Sequence, residues 1–156
     1  VENSRRHVLE RRPDKTKGID MKIDYDEVLS ILTTFQDAET PFLTLQDLGM
    51  AEAEGEEKDK KVFHLMLLAD NGSIVNGDMQ SETPKYIGFF FHSLGVGFRN
   101  TPIMLTQQGH DLANALRKKP ILERIKKEFT DAPFDLIKEV TKSMLTRFVK
   151  ERIGID

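Results

Sequence analysis

The sequence predicts an α+β fold, in which short helices and strands come first and a run of longer helices closes the chain. Three observations carry this. Residues 60–75, KKVFHLMLLADNGSIV, place Val62, Leu65, Met66 and Ala69 three or four apart, stop at Gly72, and continue into Ile74 and Val75. That is a helical face, a residue free to take positive φ, and the start of a strand. Residues 86–105 are aromatic and β-branched and are punctuated by Gly95 and Gly97, as in a hairpin or strand pair. From Thr106 to Val149 the apolar residues return to helical spacing.

Length and composition bound these elements. A chain of 156 residues fits one domain with an appended tail or helix, and is long enough to bury a core without staples. It contains no cysteine, which removes disulfides, thiolate metal sites and cysteine nucleophiles together and makes a reducing compartment the expectation. No apolar run approaches the roughly 20 residues that cross a bilayer, and no secretion signal opens the chain, so no membrane role and a cytoplasmic location are expected. Val1 in place of methionine reads as a fragment or processed form, with Met21 the truer start.

The net charge of −3 argues against wholesale coating of nucleic acid, yet the charges are segregated. Arg5, Arg6, Arg11, Arg12, Lys15 and Lys17 crowd the first segment. Asp24 through Glu57 is acidic, and basic residues dominate again at Lys58–Lys61 and from Arg99 onward.

Taken in order, residues 1–20 are polar and aperiodic: a flexible basic arm, or a remnant foreign to the native chain. Tyr25, Val28, Leu29, Ile31, Leu32 and Phe35 mark the first helix, capped by Asp24 with Asp26 and Glu27 in its first turn. Thr44 caps a short second helix that turns Leu45 and Leu48 inward and stops at Gly49. Residues 51–59 form an acidic linker, longer than the tight turn of a simple helix-turn-helix. The third helix is the stretch already described, with Lys58, Lys60 and Lys61 at its start and His64 beside its buried stripe. A strand from Ile74, a loop at Pro84 and the aromatic hairpin follow. Packing in a core or against a subunit is the preferred role of Phe89, Phe90 and Phe91 over base stacking, because basic residues are not interleaved with them. Thr106 caps the next helix, Pro120 starts another, and from Pro133 a helix of about five turns carries Ile137, Val140, Met144, Phe148 and Val149. Its wide apolar face must fold back on the domain or pair with a second copy.

This order is that of a winged helix-turn-helix with a β wing and additional C-terminal helices. Residues 21–118 make the winged-helix domain and 119–156 the helical extension. Phe63-His64-Leu65 through Leu68, Gly72 and Ile74 resembles the third helix of winged-helix transcription factors, and Leu105-Thr106-Gln-Gln-Gly109-His110-Asp-Leu112 resembles their segment after the wing. With the opening Met21-Lys-Ile-Asp and the closing Phe134-Asp-Leu-Ile-Lys, these motifs resemble an uncharacterised bacterial and phage family, domain of unknown function 2513, over residues 21–150.

That resemblance implies a winged-helix-like fold and no established activity. By analogy with the fold, Lys58, Lys60, Lys61 and His64 would face DNA, with Arg99 on the wing. The sequence departs from the pattern where Lys61 replaces an apolar residue and where Val62 and Phe63 stand at reader positions. The expectation is a small DNA-binding regulator of double-stranded DNA, a homodimer through Val140, Met144 and Phe148. A protein-interaction module without DNA binding is the alternative, favoured by the acidic approach to the third helix.

An enzyme is not expected. His7, His64, His92 and His110 are scattered without metal-ligand spacing, no glycine loop for phosphate appears, and no metal or cofactor is called for. On spacing, His64 and His110 are read as packing residues ahead of ligands. The Lys58–Lys61 group is equally a solvated helix start, and Arg117-Lys118-Lys119 suits a helix C-terminus without a partner.

Overall fold

The computed structural model of the protein describes residues 21–154, so the N-terminal arm lies outside the described residues. Helix α1 spans Tyr25–Gln36, and the Asp24 carboxylate accepts the backbone N–H groups of Asp26 and Glu27, as its capping position predicts. A two-residue strand, β1 (Phe42–Leu43), comes next.

The expected second helix does not form. Residues 45–52 make consecutive turns instead, closed by the Thr44 hydroxyl accepting from Asp47 N–H at 3.2 Å and the Asp47 carboxylate accepting from Thr44 N–H at 2.9 Å. The capping signal is real, but too few residues follow it to offset helix nucleation. Leu45 and Leu48 are buried all the same.

Helix α2 spans Gly55–Asp70 and therefore begins inside the segment read as a linker. Glu56 and Glu57 sit in its first turn, where the helix dipole favours acids. Its buried residues are His64, Leu65, Leu68 and Ala69, a stripe rotated from the expected one; Val62 and Met66 are half-buried. Gly72 takes φ +78, and Ser73 N–H bonds back to Leu68 O at 2.8 Å, a left-handed helix stop. Strand β2 (Ile74–Asn76) follows.

A 3₁₀ turn at Pro84–Ile87 leads into the hairpin of β3 (Phe89–His92) and β4 (Gly95–Phe98). The pairing runs from Phe89↔Phe98 to His92↔Gly95, a sheet of its own. Strand β5 (Ile103–Leu105) then returns between β1 and β2, giving the antiparallel order β1-β5-β2. Thr106 welds this sheet to helix α3 (Gln107–Leu116): its hydroxyl donates to Gly72 O at 2.6 Å and accepts from Gly109 N–H at 3.1 Å.

Helices α4 (Lys119–Glu128) and α5 (Phe134–Ile153) complete the chain. One core gathers Leu32, Leu65, Leu68, Ile74, Phe89 and Leu116 from α1, α2, the sheet, the hairpin and α3. A second gathers Tyr25, Ile121, Ile125 and Ile137 from α1, α4 and α5, and half-buried Ile23, Leu122 and Phe134 touch both. The fold is α+β, and among the described residues no helix is long and apolar enough to cross a membrane.

Candidate interaction surface

Helix α2 presents three faces, and the chain uses two of them internally. On the buried face, His64 is 1% exposed. Its Nδ1–H donates to Lys60 O at 2.7 Å and its Nε2 accepts from Asp24 N–H at 2.8 Å, a pairing that selects one neutral tautomer. His64 therefore stitches α2 to the cap of α1. It has no open polar edge for a phosphate, which corrects its expected role as a DNA contact. His110 is exposed on α3 and lies 3.4 Å from Gln36 Nε2 through Nδ1, so the two histidines do not meet.

The flanking lysines are likewise engaged. Lys60 Nζ lies 2.6 Å from Asp24, Lys61 Nζ lies 3.8 Å from Glu27, and Lys58 Nζ donates to Val96 O in the hairpin at 3.1 Å. Burial pushes the Asp24 carboxyl upward, but the Lys60 ammonium and the N–H groups of Glu27 and Asp26 outweigh it, and its pKa falls below the ordinary 3.8. The hydrogen bond to Asp24 raises Lys60 in turn. The N-terminal turn of α1 is thus ringed by cations, with Lys126 Nζ 2.7 Å from Asp26 as the third.

The third face of α2 is open. Its exposed residues beyond Gly55 are Glu56, Glu57, Asp59 and Asp70, all acidic, and none has an ion pair among the described residues. Between them lie Phe63 and Leu67, half-buried and in neither core; the Phe63 ring stands edge-on to His64 at 5.0 Å. Glu56, Asp59, Phe63, Leu67 and Asp70 recur at intervals of three or four and fall within about 80° of the helix circumference. Sequence reading missed this stripe because it set the helix start too late; counting from Glu56 would have found it.

The hairpin holds a different group. Arg99 lies over the Phe90 ring at 4.7 Å, and the Phe90 and His92 rings are 5.8 Å apart. Phe89 is buried, Phe90 is half-buried and Phe91 is exposed, so the three phenylalanines divide between core and solvent as the strand leaves the body. Folding brings a cation onto an aromatic ring that the linear sequence keeps nine residues away.

The residues expected to form a dimer find a partner within the chain. Val140 and Met144 pack on the Ile121 and Ile125 cluster, and Lys118 Nζ sits over the Phe148 ring at 5.5 Å. With Phe129 they line a groove of about 390 Å³ between α4 and α5, rimmed by Arg124 and Arg147. Arg117 pairs with Asp37 at 2.9 Å.

Among the described residues no cluster of three or more His, Asp or Glu is placed to hold a metal. No protein-family model, curated protein or solved structure matches the chain.

Proposed function

We propose that the chain is a winged-helix domain that recognises a protein through the open face of α2. The order β1-β5-β2 supports the fold: α2 leads directly into β2, and the hairpin stands between β2 and β5 where a wing belongs. The single observation that carries the function is the character of the α2 face, acidic and apolar, in the position where a reader of DNA carries cations and amides. Four carboxylates there repel phosphate, and the neighbouring lysines are neutralised by Asp24 and Glu27 or turned to the hairpin. Apolar side chains between charges suit a protein surface instead.

A second reading, a small DNA-binding regulator, draws on Arg99 at the end of the hairpin and Lys85 in the 3₁₀ turn before it, whose cations lie over the half-buried rings of Phe90 and Tyr86. Anisotropy of a fluorescent random-sequence duplex, titrated at low salt and then at rising salt, separates the two. The proposal expects no binding at low salt. Binding with a steep salt slope that weakens on Arg99→Ala would overturn it and establish the second reading.

A further inference from the structure

The protein-recognition reading of α2 leaves its partner unnamed, and the same chain carries a helix of matching design. α5 is anchored as far as Phe148: its fully buried residues are Ile137 and Thr141, Met144 and Leu145 pack on the second core, and Lys118 sits over the Phe148 ring. Beyond Phe148 the helix overhangs, with Val149 47% and Ile153 63% exposed. Lys142, Leu145, Val149, Arg152 and Ile153 recur at helical intervals and fall within about 100° of the circumference. Lys142 and Arg152 are exposed and have no ion partner among the described residues.

The two stripes are complementary in both charge and spacing. On α2, Asp59, Phe63, Leu67 and Asp70 read acid, apolar, apolar, acid. On α5, Lys142, Leu145, Val149 and Arg152 read base, apolar, apolar, base. At 1.5 Å per residue the outer charges lie about 16 Å apart on the first and about 15 Å apart on the second, so both ion pairs close while the apolar residues meet between them. The pattern is the same from either end, so the helices match parallel or antiparallel. The imbalance around the stripes has the same sense: Asp24 to Glu57 holds ten acids and no lysine or arginine, and Arg117 to Arg152 holds eleven bases against six acids.

We propose that the partner of the α2 face is the stripe Lys142, Leu145, Val149 and Arg152 of α5 in a second copy of this chain. A stable interface buries about 800 Å² on each partner, more than one pair of short stripes supplies. Two copies related by a two-fold axis, each giving α5 and receiving on α2, double the contact; if geometry prevents the exchange, the same contact propagates head to tail. Either assembly is electrostatically guided and salt-sensitive. This inference rests on α2 being a protein-binding face, which the DNA titration tests separately.

Sedimentation velocity of the full chain, with charge reversal on each side, decides it. Asp59→Lys with Asp70→Lys reverses the α2 stripe, and Lys142→Glu with Arg152→Glu reverses the α5 stripe; all four residues are exposed, and circular dichroism checks that each variant folds. The wild-type chain is expected to self-associate at about 0.1 M salt and to lose at least about tenfold in affinity at about 1 M, where the Debye length shrinks from about 10 Å to about 3 Å. Each variant alone is expected to be monomeric, and an equimolar mixture to associate, since one supplies the basic α5 and the other the acidic α2. A monomeric wild type, association that survives either reversal, or a mixture that stays monomeric would overturn the proposal.

Discussion

At the scale of single residues, Asp24 does the most varied work. Its carboxylate caps α1, its N–H holds the His64 ring, and its second oxygen takes the Lys60 ammonium. Only the first of these was legible in the sequence, because a cap is local; the contacts to Lys60 and His64 join positions 36 and 40 residues away. The depressed Asp24 pKa is a stability statement. Its contribution is present above the ordinary 3.8 of the unfolded chain and is lost as pH falls through the lower folded value. Asp24→Asn keeps an N-cap but removes the charge, so the variant should be less stable than wild type at neutral pH, with the difference vanishing in acid. Urea midpoints measured from neutral pH down through about pH 3 check this, and a pH-independent difference would exclude the linkage. Tyr25 shows the opposite effect: burial pushes its hydroxyl up to about 12, and it finds no hydrogen-bond partner among the described residues.

At the scale of elements, the helices after Thr106 were legible and the short pieces around them were not. Cap, stripe and stop coincide for α1 and α3, so the local signals agree with the tertiary demand. β1 is two residues long, below what any periodicity can report, and exists because β5 offers Met104 and Ile103 as ladder partners. The face of α5 was legible as apolar, but which helices cover it was not: α3 and α4 both pack on α5, and Val140, Met144 and Phe148 are half-buried within the chain. The joint between α3 and the sheet makes a sharp prediction. A Cβ on Gly109 would collide with Ser73 O and with the Leu105 side chain. Alanine gains about 1 kcal/mol over glycine by helix propensity alone, yet Gly109→Ala should lower stability by about 1–3 kcal/mol, through overpacking at a backbone contact that has no rotamer to yield. A thermal midpoint at or above wild type would show that the sheet can shift to admit the methyl.

At the scale of the whole molecule, residues 119–154 pack against the helices that precede them. Tyr25 belongs to α1 yet packs only with the second core, its ring stacked on Phe134 at 6.4 Å, and Ile23, Leu122 and Phe134 border both cores. A chain ending at Lys118 would leave Tyr25 uncovered and strip a face of α1 and α3, and is expected to lose cooperative unfolding; a sharp two-state transition in that truncated chain would show that the first core suffices. The segregation of charge was plain in the sequence, but its use was not, since pairing Lys126 with Asp26 takes a contact across 100 residues. The one-ended anchoring of α5 has a consequence in time. Amides near Ile137 and Thr141 open only when the second core opens, whereas those past Phe148 are held by little more than their own helical hydrogen bonds and fray far more often. The final turns are thus a latch that samples coil between encounters, so whatever captures them must supply the free energy of keeping them wound, and slow exchange there would report a bound state before any change of mass did.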